Sequence, residues 1–217
     1  MSSFPGSPHL IKGGIILIDP QTSAVLRIIT LQYNPDTLSR TLQVQGVGEG
    51  SAHRSEALRL TGPPIETLKL EAEIDATDQM ENGDQVTADV GIQPQLAVLE
   101  TLIYPASAHL VANNSLSMSG TLEISPMESP LTLFIWNKNR ILPVRITDFS
   151  ITEEAFDVQL NPIRAKISLG MRVLNVDDLG FDHKGGGIFM SYQQNKERLA
   201  GMFKSGNLSD LGINSIP

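Results

Sequence analysis

The stretch Ile65-Glu66-Thr67-Leu68-Lys69-Leu70-Glu71-Ala72-Glu73-Ile74-Asp75-Ala76 decides the fold reading. Leu68, Leu70, Ala72, Ile74 and Ala76 fall on one parity, and Lys69, Glu71, Glu73 and Asp75 on the other. Successive side chains of a strand point to opposite faces, so this alternation predicts a half-buried β-strand with an acidic outer row. Far downstream, Ile163, Ala165, Ile167, Leu169, Met171 and Val173 alternate with Arg164, Lys166, Ser168, Gly170 and Arg172. There the polar row is cationic. Opposite charges on adjacent strands attract, so the two rows are expected to meet, within one sheet or between neighbouring subunits.

Further strands are expected on either side. Gly14 to Ile18 is closed by Asp19-Pro20, because proline cannot continue a ladder. Ala24 to Tyr33 is followed by a turn at Asn34-Pro35-Asp36, and Leu38 to Gln45 reads as its antiparallel partner in a meander. Leu131 to Trp136 is almost continuously apolar, the mark of a strand covered on both faces. Asn137-Lys138-Asn139 has hairpin-turn composition, and Arg140 to Thr152 returns from it. Pro94 to Tyr104 is the clearest internal helix, with Leu96, Leu99 and Leu102-Ile103 at helical spacing and Pro105 just past its end. Residues 46–64 and the acidic residues 77–89 read as loops, and Ala108 to Ile124 as two short strands turning at Asn113-Asn114. Gly185-Gly186-Gly187 reads as a flexible linker before a short amphipathic helix from Ser191 to Phe203.

Composition narrows the function classes. Of 217 residues, 41% are hydrophobic and only 18% charged, which fits a chain that hides surface in an assembly. The net charge of −8 argues against a general nucleic-acid coat, which needs clustered Lys and Arg, and against docking on anionic lipid. The absence of cysteine excludes disulfides, thiol catalysis and Cys-ligated metal sites, and fits the cytosol best. Met1 to Leu10 lacks the basic and apolar regions of a secretory signal peptide, and no apolar window is long enough to cross a membrane.

The search for catalytic spacing yields little. His9, His53, His109 and His183 are scattered, so no HxH or HExxH zinc pattern exists. There is no GxSxG elbow, no P-loop and no GxGxxG after a strand; Gly46-Val47-Gly48-Glu49-Gly50 lacks a following helix to offer amides to a phosphate. Glu71, Glu73 and Asp75 could hold a hard cation or act as paired carboxylates, but a salt-bridged strand face is the ordinary outcome of such a row. The acids from Asp75 to Asp84 lack EF-hand order. Trp136, with Arg140 just across the turn, reads as core packing or an interface anchor with Arg140 on the indole rather than a carbohydrate platform. No catalytic residue, cofactor or metal site is expected.

Four blocks are more specific. Leu31-Gln32-Tyr33-Asn34-Pro35-Asp36-Thr37-Leu38-Ser39-Arg40 resembles the FQYNPETLSRS signature of the contractile injection system tube protein family. Pro63-Pro64-Ile65-Glu66-Thr67-Leu68 continuing to Asp75-Ala76-Thr77-Asp78 is similar to that family's next block. So are Gln93-Pro94-Gln95-Leu96-Ala97-Val98-Leu99-Glu100 with Tyr104-Pro105. The last block is Leu142-Pro143-Val144-Arg145-Ile146, Thr152-Glu153-Glu154-Ala155-Phe156 and Leu160-Asn161-Pro162-Ile163-Arg164-Ala165. Together the blocks span roughly residues 12 to 176.

The resemblance implies a mainly-β fold with one or two helices, a phage tail-tube-like β-barrel or sandwich that forms a ring. On this reading residues 1–11 are an N-terminal arm, 12–178 the tail-tube-like β domain, and 179–217 a linker and C-terminal helical tail. The implied role is a non-enzymatic tube initiator in the baseplate of an antifeeding-prophage-like particle. As such it would be a six-fold homo-oligomeric ring between the trimeric spike hub and the hexameric inner tube, touching baseplate wedge or sheath proteins. A general inner tube or phage-tail hub protein is the alternative. Such a particle assembles in the cytoplasm and can be released. The residues expected at structural or subunit interfaces are Tyr33, Asn34, Pro35, Glu71, Glu73, Trp136, Arg140, Arg164 and Lys166. Two departures from the family stand out: the LysM module that many relatives carry C-terminally is not expected here, its contact being absent or supplied by another protein, and Asn137 stands where Gly often follows the Trp.

Overall fold

A computed structural model of the chain describes residues 10–46, 59–118 and 129–216. The strands are β1 (Gly14–Ile18), β2 (Val25–Thr30), β3 (Leu38–Gln43), β4 (Ile65–Asp75), β5 (Leu131–Asn137), β6 (Arg140–Phe156) and β7 (Pro162–Val173). They form a seven-stranded sheet in the order β2-β1-β5-β6-β7-β4-β3, antiparallel throughout. The chain is therefore mainly β. The acidic and cationic rows lie side by side inside this sheet, with Glu73 opposite Lys166 and Asp75 opposite Arg164 on β4 and β7.

The expected meander is corrected at one point. Asn34-Pro35-Asp36 turns the chain, yet β2 and β3 are not partners. β2 pairs with β1, β3 pairs with β4, and the two stand at opposite ends of the strand order. The seven residues between them are longer than a tight hairpin, and two of their side chains are engaged elsewhere.

That connection shows that the sheet is curled. Gln32 lies two residues past β2, and its amide is hydrogen-bonded to the backbone of Asp75 at the end of β4. In strand order β2 and β4 are five spacings apart, about 24 Å in a flat sheet. A hydrogen bond across that interval requires the sheet to bend back on itself. Its hollow side holds the main core, including Ile15, Leu31, Leu68, Leu70, Phe134, Leu142, Ile167, Leu169 and Met171.

The helices outnumber the one or two expected. Among the described residues they are α1 (Thr77–Glu81), α2 (Gln85–Val90), α3 (Gln93–Glu100), α4 (Ser107–Met118), α5 (Val176–Leu179) and α6 (Lys184–Ala200), with a 3-10 turn at Leu208–Leu211. α3 begins with Pro94 in its first turn and buries Leu96 and Leu99. Residues 77–89 hold α1 and most of α2 rather than a loop, because acids satisfy the first amides of both helices. Asp75 accepts from the Thr77 amide at 2.8 Å, and Asp84 caps α2 by accepting from the Thr87 amide at 3.1 Å. Residues 107–118 form α4 instead of strands turning at Asn113-Asn114, since both asparagines are tolerated on an exposed helix surface.

The glycine triplet is not a linker. It forms the first turn of α6, which starts seven residues before the expected helix and ends before Phe203. A Cβ at Gly186 would collide with the Gly180 carbonyl oxygen, so only glycine lets α5 and α6 approach this closely. α6 packs along β6, adds Phe189 and Tyr192 to the main core, and sets Ile188 against a smaller cluster of Ile18, Leu131 and Leu133. The expected arm (residues 1–11) and the loop at 46–64 lie largely outside the described residues. The stem of that loop is closed by a Gly46–Leu60 bridge and by the Thr61 amide donating to the Gln45 carbonyl at 2.9 Å.

Candidate functional site

The four sequence blocks converge at one end of the curled sheet. Gln32, from the first block, donates through Nε2 to the Asp75 carbonyl at 2.6 Å and accepts from the Asp75 amide at 3.0 Å. This imitates one rung of a ladder with a side chain. Asp75, from the second block, receives Arg164 of the fourth at 2.8 Å, while the Ala76 amide donates to the Ile163 carbonyl at 3.0 Å. From the third block, Gln93 reaches Asn161 at 3.3 Å, and the adjoining Ile92 amide donates to the Pro162 carbonyl at 2.9 Å. Asn161 also donates to the Asp89 carbonyl at 3.1 Å and to Asp157 at 2.9 Å. Gly91, at φ 60°, passes so close to the Pro162 carbonyl that a side chain there would strike it.

Within this node the Asp75 carboxyl is held below its ordinary range. The main cause is the Thr77 hydroxyl, then the Thr77 amide, then Arg164. Arg164 is in turn pushed up, chiefly by its hydrogen bond to Asp75.

The residues expected from sequence fall into three groups. Asn34 is a clasp: its Oδ1 accepts from the Gly13 amide at 2.9 Å and its Nδ2 donates to the Ile11 carbonyl at 2.8 Å, fastening the chain before β1. Tyr33 beside it is exposed and Pro35 is partly covered. Glu73, Arg164 and Lys166 belong to the charged rows: Glu73 stands 3.7 Å from Arg164, and Lys166 pairs with Glu154 at 2.9 Å. Glu71 is exposed opposite Ser168. Trp136 stacks on Phe134 at 6.1 Å between centroids and covers Gly13, while Arg140 pairs with Asn137 across the turn. Among the described residues no group of three or more His, Cys, Asp or Glu side chains is placed to hold a metal ion, and no helix is long and apolar enough to cross a membrane.

A buried ion cluster around Glu66 escaped the sequence reading. Glu66 is 2% exposed. It accepts from Arg40 Nε at 2.9 Å and from the Tyr192 hydroxyl at 3.1 Å, with Lys196 Nζ at 3.7 Å. Arg40 also donates to the Tyr192 oxygen at 3.1 Å, and Lys196 sits 4.2 Å over the Tyr192 ring. Burial, then Glu66, pushes the Tyr192 hydroxyl up. Burial pushes Lys196 down, and Glu66 partly restores it. The cluster ties α6 to the β3–β4 end of the sheet. The signal was parity: Glu66 shares the face of Leu68, Leu70 and Ala72, where a carboxylate needs a partner.

Sheet edge stands open at several places among the described residues, one of them β4 beyond Leu70, where residues 71–75 pair with β7 alone. β2 forms one end of the sheet and exposes Val25, Leu26 and Ile28. β3 forms the other and exposes Leu42. The β5 ladder stops at Val144, so β6 beyond it is paired with β7 alone, and that hairpin ends in exposed Val158 and Leu160. Open apolar edges are templates for pairing with another chain.

The fold and node thus define a mainly-β protein whose curled sheet is fastened by side chains and open at its edges. No protein-family model matches the chain, and no curated protein matches it. Among solved structures it is similar to a chain from the virion of a native gene transfer agent (GTA) particle, at 12% identity and a TM-score of 0.29, covering 74% of this chain and 90% of that one. It is also similar to a chain from the tail of an empty GTA particle with C6 symmetry, at 13% identity and a TM-score of 0.29, with the same coverage of 74% and 90%. A TM-score of 0.29 is too low for either likeness to bear on what this chain does.

Proposed function

We propose that this chain is a structural, non-enzymatic subunit of a contractile, phage-tail-like injection particle, and specifically the initiator ring joining the spike hub to the inner tube. The observation that carries the reading is the node: the four blocks resembling the tube protein family are the segments that Gln32, Asp75, Asn161 and Arg164 bind together. Residues scattered over the sequence thus share one structural task. The open edges of β2, β3 and distal β6 supply surfaces that a closed ring would cover. Six copies would form that ring after assembly in the cytoplasm, with spike, inner tube and wedge or sheath proteins as neighbours. Contraction would then drive the ring forward with the tube and spike as one body.

The test is co-expression with the spike, tube and sheath proteins of a contractile injection particle, followed by electron microscopy of the particles. Density for this chain in a six-fold ring between spike and tube is the expected result. Density off that axis, or particles complete without the chain, would overturn the reading.

A further inference from the structure

We infer that the β6–β7 tip of one copy docks on the β5–β6 turn and the end of α6 of a second copy, a head-to-tail contact with an apolar centre and a rim of opposite charges. The tip is apolar where a solvated turn would be polar: Phe156 is half exposed, Leu160 is 77% exposed and Val158 wholly so. Its backbone is nonetheless fixed. Asp157 accepts from the amides of Gln159 at 2.7 Å and Asn161 at 2.8 Å, and the Leu160 amide returns to the Asp157 carbonyl at 3.1 Å. Asn161 then ties the tip to the Asp89 carbonyl at 3.1 Å. Ala155 at φ 54° and Leu160 at φ 66° are held in the left-handed region, which side chains disfavour. A strained, fixed turn that points apolar side chains outward is shaped for a partner.

Charge complementarity selects the partner. No Lys or Arg stands between Lys69 and Lys138 in the sequence, and exposed Glu153 and Asp89 flank the tip. The cations nearby, Arg164 and Lys166, are already paired with Asp75 and Glu154. The tip end is therefore acidic. The far end of β6 is its complement. Asn195 of α6 donates to the Asn139 carbonyl at 3.0 Å and accepts from Arg198 at 2.7 Å, which brings Arg198 beside Lys138 and Arg140. None of these three cations makes an ion pair among the described residues. Next to them Leu199, Met202 and Phe203 stand exposed on turns that continue α6. A second copy thus offers apolar surface to the apolar tip and unpaired cations to its acids, the anatomy of an interface core and rim.

The two surfaces cannot meet within one copy. They sit at opposite ends of β6, a 17-residue strand about 55 Å long that is laddered to β5 at one end and to β7 at the other. Tip and turn are different surfaces, so the contact is heterologous and runs from copy to copy, closing into a ring or continuing as a stack according to its rotation. The inference deepens the ring reading and rests on it only in that copies meet.

The absence of cysteine makes the test direct. Val158→Cys and Leu199→Cys, both at exposed positions, are made singly in the full chain, one of them tagged. Mixed and oxidised at low salt, they should give a tagged–untagged dimer well above what either chain gives alone, and a chain carrying both cysteines should link between copies. Lys138→Glu with Arg198→Glu in the Leu199→Cys chain should cut the yield roughly tenfold, and Asp89→Lys with Glu153→Lys in the Val158→Cys chain should restore it. A link no stronger than the single-cysteine controls, one closed within single chains, or one that charge reversal leaves unchanged or compensating reversal fails to restore overturns the inference. Should the reversed chains fail to fold, salt decides alone: a yield that does not fall at about 1 M salt overturns it. Electron microscopy of the co-expressed particles separates the two readings: a six-fold ring without this link sinks the contact alone, and the link without a ring sinks the ring reading alone.

Discussion

The Gln32 side chain exchanges two hydrogen bonds with the backbone of Asp75, at 2.6 and 3.0 Å, and so bridges strands that are five places apart in the sheet. Replacing Gln32 with Leu leaves the partly buried Asp75 amide and carbonyl without that partner. The expected loss is about 1–3 kcal/mol of stability, read as a lower urea midpoint. Gln32→Glu should lose at least as much, because a carboxylate cannot donate to the Asp75 carbonyl.

Glu66 and Arg40 invite a double-mutant cycle. Glu66→Leu removes the buried acceptor that Arg40 and the Tyr192 hydroxyl share, and about 3 kcal/mol of destabilisation is expected, as for a broken buried pair. Arg40→Met alone leaves Glu66 buried with Lys196 3.7 Å away. The combined variant should be milder than the sum of the two, and additivity in chemical denaturation would show that the pair is not coupled.

Asp75 gives a pH dependence with a definite sign. Its folded value lies below the ordinary 3.8, so its contribution is present above 3.8 and is lost as pH falls through the folded value. The stability gap between the native chain and Asp75→Asn should be full at about pH 6 and narrow below about pH 4. Thr77→Val should shrink that gap more than Arg164→Gln does, since the Thr77 hydroxyl is the larger cause. Urea midpoints across that range measure it.

In the charged rows the two glutamates should differ. Glu73→Lys places a cation beside Arg164 and Lys166 and should cost up to about 1 kcal/mol, less at high salt, because both partners are half-exposed. Glu71→Lys faces Ser168 and should change the isolated chain's thermal midpoint little. An equal effect from both would mean that the row acts through something other than its β7 neighbours.

Two adjacent glycines should behave in opposite ways. Gly187→Ala meets no atom within 4 Å at an exposed position of the first turn of α6 and should stabilise the helix by up to about 1 kcal/mol. Gly186→Ala drives a methyl into the Gly180 carbonyl and should destabilise by about 1–3 kcal/mol. Thermal melts of the two variants decide it.

Period-two patterning made most of the sheet legible. β1 appears with its expected bounds, and the β4 and β7 alternation foretold both strands and their charged rows. What could not be read was pairing over distance. Nothing local to Asn34-Pro35-Asp36 says that β2 and β3 belong to opposite ends of a sheet, because that depends on Gln32 finding Asp75 after the sheet has curled. Residues 77–89 and the glycine triplet misled for a related reason: acids and glycines that usually mark loops here cap and pack helices. Glu66 was readable by parity alone, but its partners come from β3 and α6, which only the fold brings together.

The Gln32 bridge also bears on mechanics. A barrel closed by a full ladder has a girth fixed by its strand number and stagger. This wall is instead a split collar, bridged across its gap by the Gln32 amide, with a cavity of about 470 Å³ beside the bridge lined by residues of β2, β4 and α3. A change of girth would therefore load the Gln32 bridge before it parted any strand from its ladder neighbour.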